Sequence, residues 1–209
     1  MESWLYYLGA IVAGYLIGSI PSGLIVGRLT RGIDVRNYGS GRTGTTNTLR
    51  VLGWRASLVV LVVDVAKGWL PVYLLLQQSQ SPFPAVVAGM ASLIGHNWPV
   101  FAGFRGGRGV TVGFGSLLAL LPIAAAVALI VFVLVVAATR YVSAGSVLAC
   151  ALAFATALIL LLLGQAGAYA LAYTAIAAAL IIFQHHDNLD RLRRGTERKL
   201  GESVRTSQT

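Results

Sequence analysis

The sequence predicts an all-α polytopic membrane protein with seven transmembrane helices. Three observations carry that expectation. Of the 209 residues, 56% are apolar and 11% charged, whereas a soluble domain carries roughly 45–50% and about 25%. Uncharged or nearly uncharged runs long enough to cross a bilayer recur along the chain. The basic residues flank those runs, as positive-inside topology places them, so the net charge of +9 points to membrane loops and not to nucleic acid. A single membrane domain is expected over residues 1–200, followed by a polar tail at 201–209.

The elements follow in order. Trp4 to Val26 is the first span; only Met1, Glu2 and Ser3 precede it, with no basic stretch, and it is too long for a signal-peptide core. Ala56 to Leu76 is the second, interrupted by Asp64 and Lys67, and Pro82 to Phe104 the third. Gly109 to Thr139 is uncharged and too long for one upright helix. Tyr141 to Gln184 holds two spans, broken near Gly164-Gln165-Ala166-Gly167. Simple counting gives six spans, and the charges object. Arg28, Arg31, Arg36, Arg42, Arg50 and Arg55 put the first loop inside, and Arg105 and Arg108 bring the chain back there. A single span from Gly109 to Thr139 would strand Arg140 and the tail arginines outside. Splitting the run at Pro122 removes the conflict: a short helix, Val110 to Leu121, precedes Ile123 to Ala138. The N-terminus is then outside and the C-terminus cytoplasmic. The short helix must be shielded by protein, because lipid cannot satisfy open backbone groups.

With that topology, three polar segments share the cytoplasmic face. Tyr38 to Arg50, YGSGRTGTTNTLR, has three glycines, five Ser/Thr hydroxyls, two arginines and no acid. Converging N–H groups, hydroxyls and guanidinium are what hold a phosphate; a charged flexible connector is the plainer reading. Gly103 to Gly109 joins two helices with four glycines and two arginines. It reads equally as a tight turn with snorkelling arginines or as a second anion site, with Arg108 beside the free N–H groups of the helix starting at Val110. Just upstream, His96 reads as a structural histidine. In the tail, His185 and Asn188 share a face if the last helix continues. His can move a proton near neutral pH and Asn can orient a hydroxyl or phosphate; an amphipathic end on anionic lipid is the alternative. Asp64 and Lys67 lie one turn apart within a span, where charge is usually paired; an intrahelical brace and substrate contact are both open. Cys150, the one cysteine, sits in an apolar run and reads as packing. No metal site is expected.

The order of five motifs is more specific than any one of them. GSIPSG at Gly18 to Gly23, GSGRTGTTNTLR, DVAKG at Asp64 to Gly68, GHNWPVFAGFRGGRG at Gly95 to Gly109 and HHDNLDRLRRGTE at His185 to Glu197 resemble, in register, the bacterial acyl-phosphate:glycerol-3-phosphate acyltransferases. The resemblance implies a small seven-helix enzyme of the bacterial cell (inner) membrane, its active site facing the cytoplasm. Such an enzyme moves a fatty acyl group from acyl phosphate to the 1-hydroxyl of sn-glycerol 3-phosphate, giving lysophosphatidic acid and phosphate for phospholipid synthesis. It needs no cofactor and works within the lipid bilayer alongside other phospholipid-synthesis enzymes.

By the same resemblance Ser40, Gly41, Gly44, Thr46, Asn47 and Arg50 form the first motif, Arg108 stands where Lys is usual, and His185, Asn188 and Glu197 belong to the third. Lys67 is carried as a further substrate-binding residue. Arg42 also departs from the family, which commonly has Asn there. Arg50 and Arg108, with His185 and Asn188, are the expected glycerol-phosphate binders and catalytic group; Ser40 and Thr46 are expected at the acyl phosphate. The hydroxyl proton goes to His185 or to a donor phosphate oxygen. Two rivals come from other classes: an organic-phosphate transporter, which would place its charges at the midplane between repeated halves, and a non-enzymatic protein binding anionic lipid.

Overall fold

A computed structural model describes residues 4–202, and every regular element among them is helical. In chain order the helices are α1 Trp4–Gly18, α2 Ser22–Arg31, α3 Thr45–Leu52, α4 Trp54–Gln78, α5 Phe83–Asn97, α6 Val110–Leu120, α7 Pro122–Thr139, α8 Val142–Leu162, α9 Ala168–Gln184 and α10 His186–Arg193. Short 3-10 turns lie at Val35–Asn37 and Val100–Ala102. Residues 203–209, most of the expected tail, lie outside the described residues.

Five segments are long and apolar enough to cross a membrane: Trp4–Arg31 (α1 with α2), α4, Phe83–Ala102, α7 and α8. A sixth qualifies if α9 and α10, bent by 57° at His185, count together. The outward faces are hydrocarbon, with Leu134, Ile130, Leu162 and Phe183 well exposed, which suits a lipid surround. The sequence boundaries hold to within a few residues for α4, α7, α8 and α9. The first span differs: the helix breaks at residues 19–21, where Pro21 has no N–H to give, and restarts as α2. In the third, the α-helix ends at Asn97, before Pro99, and the 3-10 turn Val100–Ala102 completes the segment.

α6 has 11 residues, about 16 Å of rise, half a bilayer's hydrocarbon. It is walled in by α4, α5, α7 and α9. Glycine makes this possible: a Cβ on Gly68 of α4 would fall on the Val112 carbonyl, and one on Gly115 of α6 on the Val65 carbonyl. Ser116 Oγ then donates to Gly68 O at 3.1 Å. Between α1 and α5, Gly14 and Gly18 likewise lie against the backbone of Ala88 and Ser92. The apolar core runs between α5, α6, α7, α8 and α9 around Leu93, Leu117, Leu121, Ala153 and Tyr173.

The polar segments gather at one end of the bundle. Arg36 of the first loop donates to Ala102 O at 2.7 Å, and Arg50 Nη2 to Arg198 O at 3.3 Å. Leu200 N donates to Arg140 O at 2.7 Å, and Arg140 Nη2 returns a bond to Leu200 O at 2.7 Å. Arg140 and the basic tail, which the charge argument placed together, are in direct contact.

Candidate active site

The first loop is built around Asn47, which is buried. Its Nδ2 donates to Arg42 O at 2.8 Å, Val35 O at 3.0 Å and Tyr38 O at 3.2 Å, and its Oδ1 accepts from Ser40 N at 2.8 Å. Asn47 therefore ties the loop to itself. The sequence treated the whole segment as loop, yet its second half is α3, entered through Gly44 in extended conformation with no capping side chain. The first N–H groups of α3 are thus unclaimed by a cap. The same holds at α6, whose N-cap is Gly109 at φ 84°, a left-handed conformation that a residue with a Cβ adopts only with strain.

Both helix starts open onto one cavity of about 500 Å³. At its polar end lie Ser40, Arg42, Gly44, Thr45, Thr46, Asn47, Arg50, His96, Arg108, Gly109, His185, Asn188 and Glu197. The cavity continues as an apolar slot between α6, α7, α8 and α9, past Leu117, Phe132, Ala149, Cys150, Ala153 and Tyr173. Of the residues that the resemblance assigned to binding or catalysis, all but two therefore line one space. Gly41 does not; at φ 71° it makes the turn of the loop. Lys67 does not either: it is buried in an ion pair with Asp64 at 2.9 Å and donates to Ile20 O at 2.7 Å. These contacts tie α4 to the break between α1 and α2.

Arg108 lies at the mouth of the α6 start, donating to Gln184 O at 3.2 Å and paired with Asp187 at 2.8 Å. Burial lowers the pKa of Arg108, and Asp187 opposes that shift. Burial likewise lowers that of Arg50, with Glu197 opposing; both stay charged, since a guanidinium is not deprotonated in proteins. Two half-buried cations facing one space favour an anionic ligand. Arg42 stands nearby with its guanidinium bonded to nothing else among the described residues, and its charge bears on both Arg108 and Asp187.

The third segment closes the site. The helix does not run straight through His185, but the bend there still brings His185 and Asn188 to the same cavity. His185 Nδ1 lies 2.8 Å from Ile181 O. A carbonyl only accepts, so Nδ1 carries the hydrogen and Nε2 keeps its lone pair. Glu197 accepts from Asn188 Nδ2 at 2.6 Å, Arg191 Nε at 2.8 Å and Ser143 Oγ at 2.9 Å. Burial pushes its carboxyl up, but those three bonds outweigh burial and hold it below its ordinary value. Glu197 thus orients Asn188, whose Oδ1 is buried without a protein partner, as are Arg50 Nε and Thr45 Oγ1. Three such orphaned atoms around one cavity call for a polar ligand.

A profile for glycerol-3-phosphate acyltransferases matches residues 8–195. The chain belongs to that family. It is 41% identical over 202 residues to the glycerol-3-phosphate acyltransferase of Halalkalibacterium halodurans, covering 94% of this chain and 97% of the relative. It is 45% identical over 196 residues to glycerol-3-phosphate acyltransferase 2 of Moorella thermoacetica, covering 94% and 98%. Two crystal structures of PlsY (YgiH), an integral membrane glycerol 3-phosphate acyltransferase, are similar. The glycerol 3-phosphate form gives a TM-score of 0.85 at 35% identity, over 93% of this chain and 96% of that one. The lysophosphatidic acid form gives 0.83 at 34%, over 93% and 95%.

Sequence reasoning read His96 as structural, and it lines the cavity. It also passed over Ser143, the residue on α8 that anchors Glu197. A serine in an apolar helix start carries no signal of a partner 54 positions away.

Proposed function

We propose that the protein transfers a fatty acyl group from acyl phosphate to the 1-hydroxyl of sn-glycerol 3-phosphate, releasing lysophosphatidic acid and inorganic phosphate. The observation that carries the reading is the shape of the cavity: a polar end with two uncapped helix starts and half-buried arginines, continuous with an apolar slot. Such a space suits one acyl chain and two phosphoryl groups. The similarity to structures of a glycerol 3-phosphate acyltransferase in glycerol 3-phosphate and lysophosphatidic acid forms supports the same reading.

Arg50 and Arg108 hold the glycerol phosphate, with Asn188 orienting its glycerol hydroxyls. Ser40, Thr46 and the α3 N–H groups hold the phosphate of the donor, whose chain lies in the slot. Acyl phosphate is a mixed anhydride and already activated, so positioning and charge stabilisation suffice. The 1-hydroxyl oxygen bonds to the acyl carbon, the bond from that carbon to the bridging phosphate oxygen breaks, and phosphate leaves with the electron pair. His185 Nε2, with its lone pair free, takes the hydroxyl proton. No Ser or Cys nucleophile is needed.

The site sits on the cytoplasmic side of a bacterial cell membrane, within one domain over residues 1–200. Counting the short α6 and α9 with the five long apolar segments (Trp4–Arg31, α4, Phe83–Ala102, α7 and α8) gives seven spans, which with the N-terminus outside satisfy the positive-inside rule. Purified protein incubated with acyl phosphate and labelled glycerol 3-phosphate should yield labelled lysophosphatidic acid. Product from acyl-CoA alone would overturn the donor assignment, and phosphate uptake by sealed vesicles without donor would favour a transporter.

A further inference from the structure

One buried charge cluster remains outside this mechanism. Asp64, Lys67 and His96 are all buried, on α4 and α5. Asp64 accepts from Ser22 and pairs with Lys67, and Lys67 Nζ lies 3.3 Å from His96 Nδ1. As a brace alone this is a poor choice, since well-packed hydrocarbon commonly serves as well as a buried ion pair. A buried ion pair can, however, set the tautomer of a neighbouring imidazole.

The surroundings of Lys67 decide which tautomer. Its Nζ faces Ile20 O at 2.7 Å, Asp64 Oδ1 at 2.9 Å and Gly18 O at 3.3 Å, all acceptors, so it is a charged donor. An ammonium accepts nothing. Asp64 Oδ1, 3.9 Å from His96 Nδ1, is too far to accept an Nδ1–H, and such a hydrogen would point at those of the ammonium, so Nδ1 presents its lone pair. The hydrogen of neutral His96 is then on Nε2. That atom packs against Gly107, where an added Cβ would fall on it. Gly107 immediately precedes Arg108 and the Gly109 start of α6, and His96 lines the same cavity they do.

We propose that His96 is a substrate-contacting residue: its Nε2–H donates to an oxygen of the phosphoryl group held by Arg108 and the α6 start, with Lys67 as the positioning residue that fixes the tautomer. The proposal rests on the acyltransferase reading only for the ligand, glycerol 3-phosphate.

The test uses full-length wild-type protein in detergent micelles, labelled with 15N-histidine, the His96 signals assigned by their loss in His96→Gln. At about pH 8 His96 should be the neutral Nε2–H tautomer, and glycerol 3-phosphate without donor should shift its Nε2 signal. Kinetics supply the second arm. His96→Gln retains an N–H donor near the Nε2 position and should keep the KM for glycerol 3-phosphate within about threefold, whereas His96→Leu should raise it by about ten- to a hundredfold. Replacing both charges together (Asp64→Leu with Lys67→Met) leaves no unpaired ion; it should give a mixed His96 tautomer and a similar rise in KM. An Nδ1–H tautomer, an imidazolium, or an Nε2 signal unmoved by glycerol 3-phosphate overturns the proposal, and the wild-type spectra decide even if a variant fails to fold. An unchanged tautomer in the double variant removes Lys67 from it. A protein that makes no lysophosphatidic acid but shifts His96 on adding glycerol 3-phosphate sinks the acyltransferase reading and leaves the contact standing.

Discussion

Asn47→Asp separates a residue that builds the site from one that touches substrate. The Asp side chain keeps the acceptor for Ser40 N at 2.8 Å but loses both N–H groups that serve Val35 O, Tyr38 O and Arg42 O. Val35 is fully buried, so water does not readily replace that bond. Counted as one lost bond for each of the two N–H groups, at about 1–3 kcal/mol apiece, the loss is roughly 2–6 kcal/mol, before repulsion between carboxylate and carbonyls. The lower figure already reduces the population of the native loop about thirtyfold. The loss is local, because the helical core does not depend on this loop's bonds. Amide hydrogen exchange should therefore accelerate over residues 38–46 and stay slow in α8. Turnover should fall at least tenfold, and Asn47→Ala, lacking the repulsion, should be milder than Asp. Unchanged exchange in the loop with only a raised KM would refute the reasoning and return Asn47 to direct substrate binding.

The other predictions concern the chemistry and the slot. Arg50→Ala should raise the KM for glycerol 3-phosphate by about tenfold or more, as loss of a charge-assisted bond requires; steady-state kinetics with an unchanged KM would remove Arg50 from that role. His185→Gln should lower kcat by about a hundredfold to ten-thousandfold if Nε2 takes the proton, and a modest loss would assign the proton to a donor phosphate oxygen. Glu197 has a folded-state pKa below its ordinary 4.5. Its stabilisation is thus full above the unfolded value and lost as pH falls through the folded one; thermal unfolding from neutral to acid pH should show that loss, and Glu197→Gln should flatten it. Ala153→Phe narrows the apolar slot and should shift preference toward shorter acyl donors in a competition assay; an unaltered profile would place the chain elsewhere.

Some features were legible because the bilayer leaves few options. A backbone in hydrocarbon must satisfy its own hydrogen bonds, so long uncharged runs become helices wherever they occur. Pro122 and the placement of Arg140 were enough to divide one run into α6 and α7. Helix α3 was not legible. Thr45-Thr46-Asn47-Thr48 has weak helix propensity, and Gly44 offers no capping side chain to mark a start. The His185 bend was missed for a related reason: nothing local breaks the helix there.

The site divides along the same line. The glycines, arginines, His185 and Asn188 stood out by residue type, spacing and shared face, because phosphate chemistry draws on a small set of donors; Glu197 came from the family resemblance alone. Their division of labour came from tertiary contact alone. Asn47 staples its loop, Glu197 holds Asn188 through Ser143, and Lys67 faces His96 across two helices. Hydropathy along a chain records what must leave water. Which buried polar group meets which is decided by helix packing, and in this bundle by glycines that let α4 and α6 touch backbone to backbone.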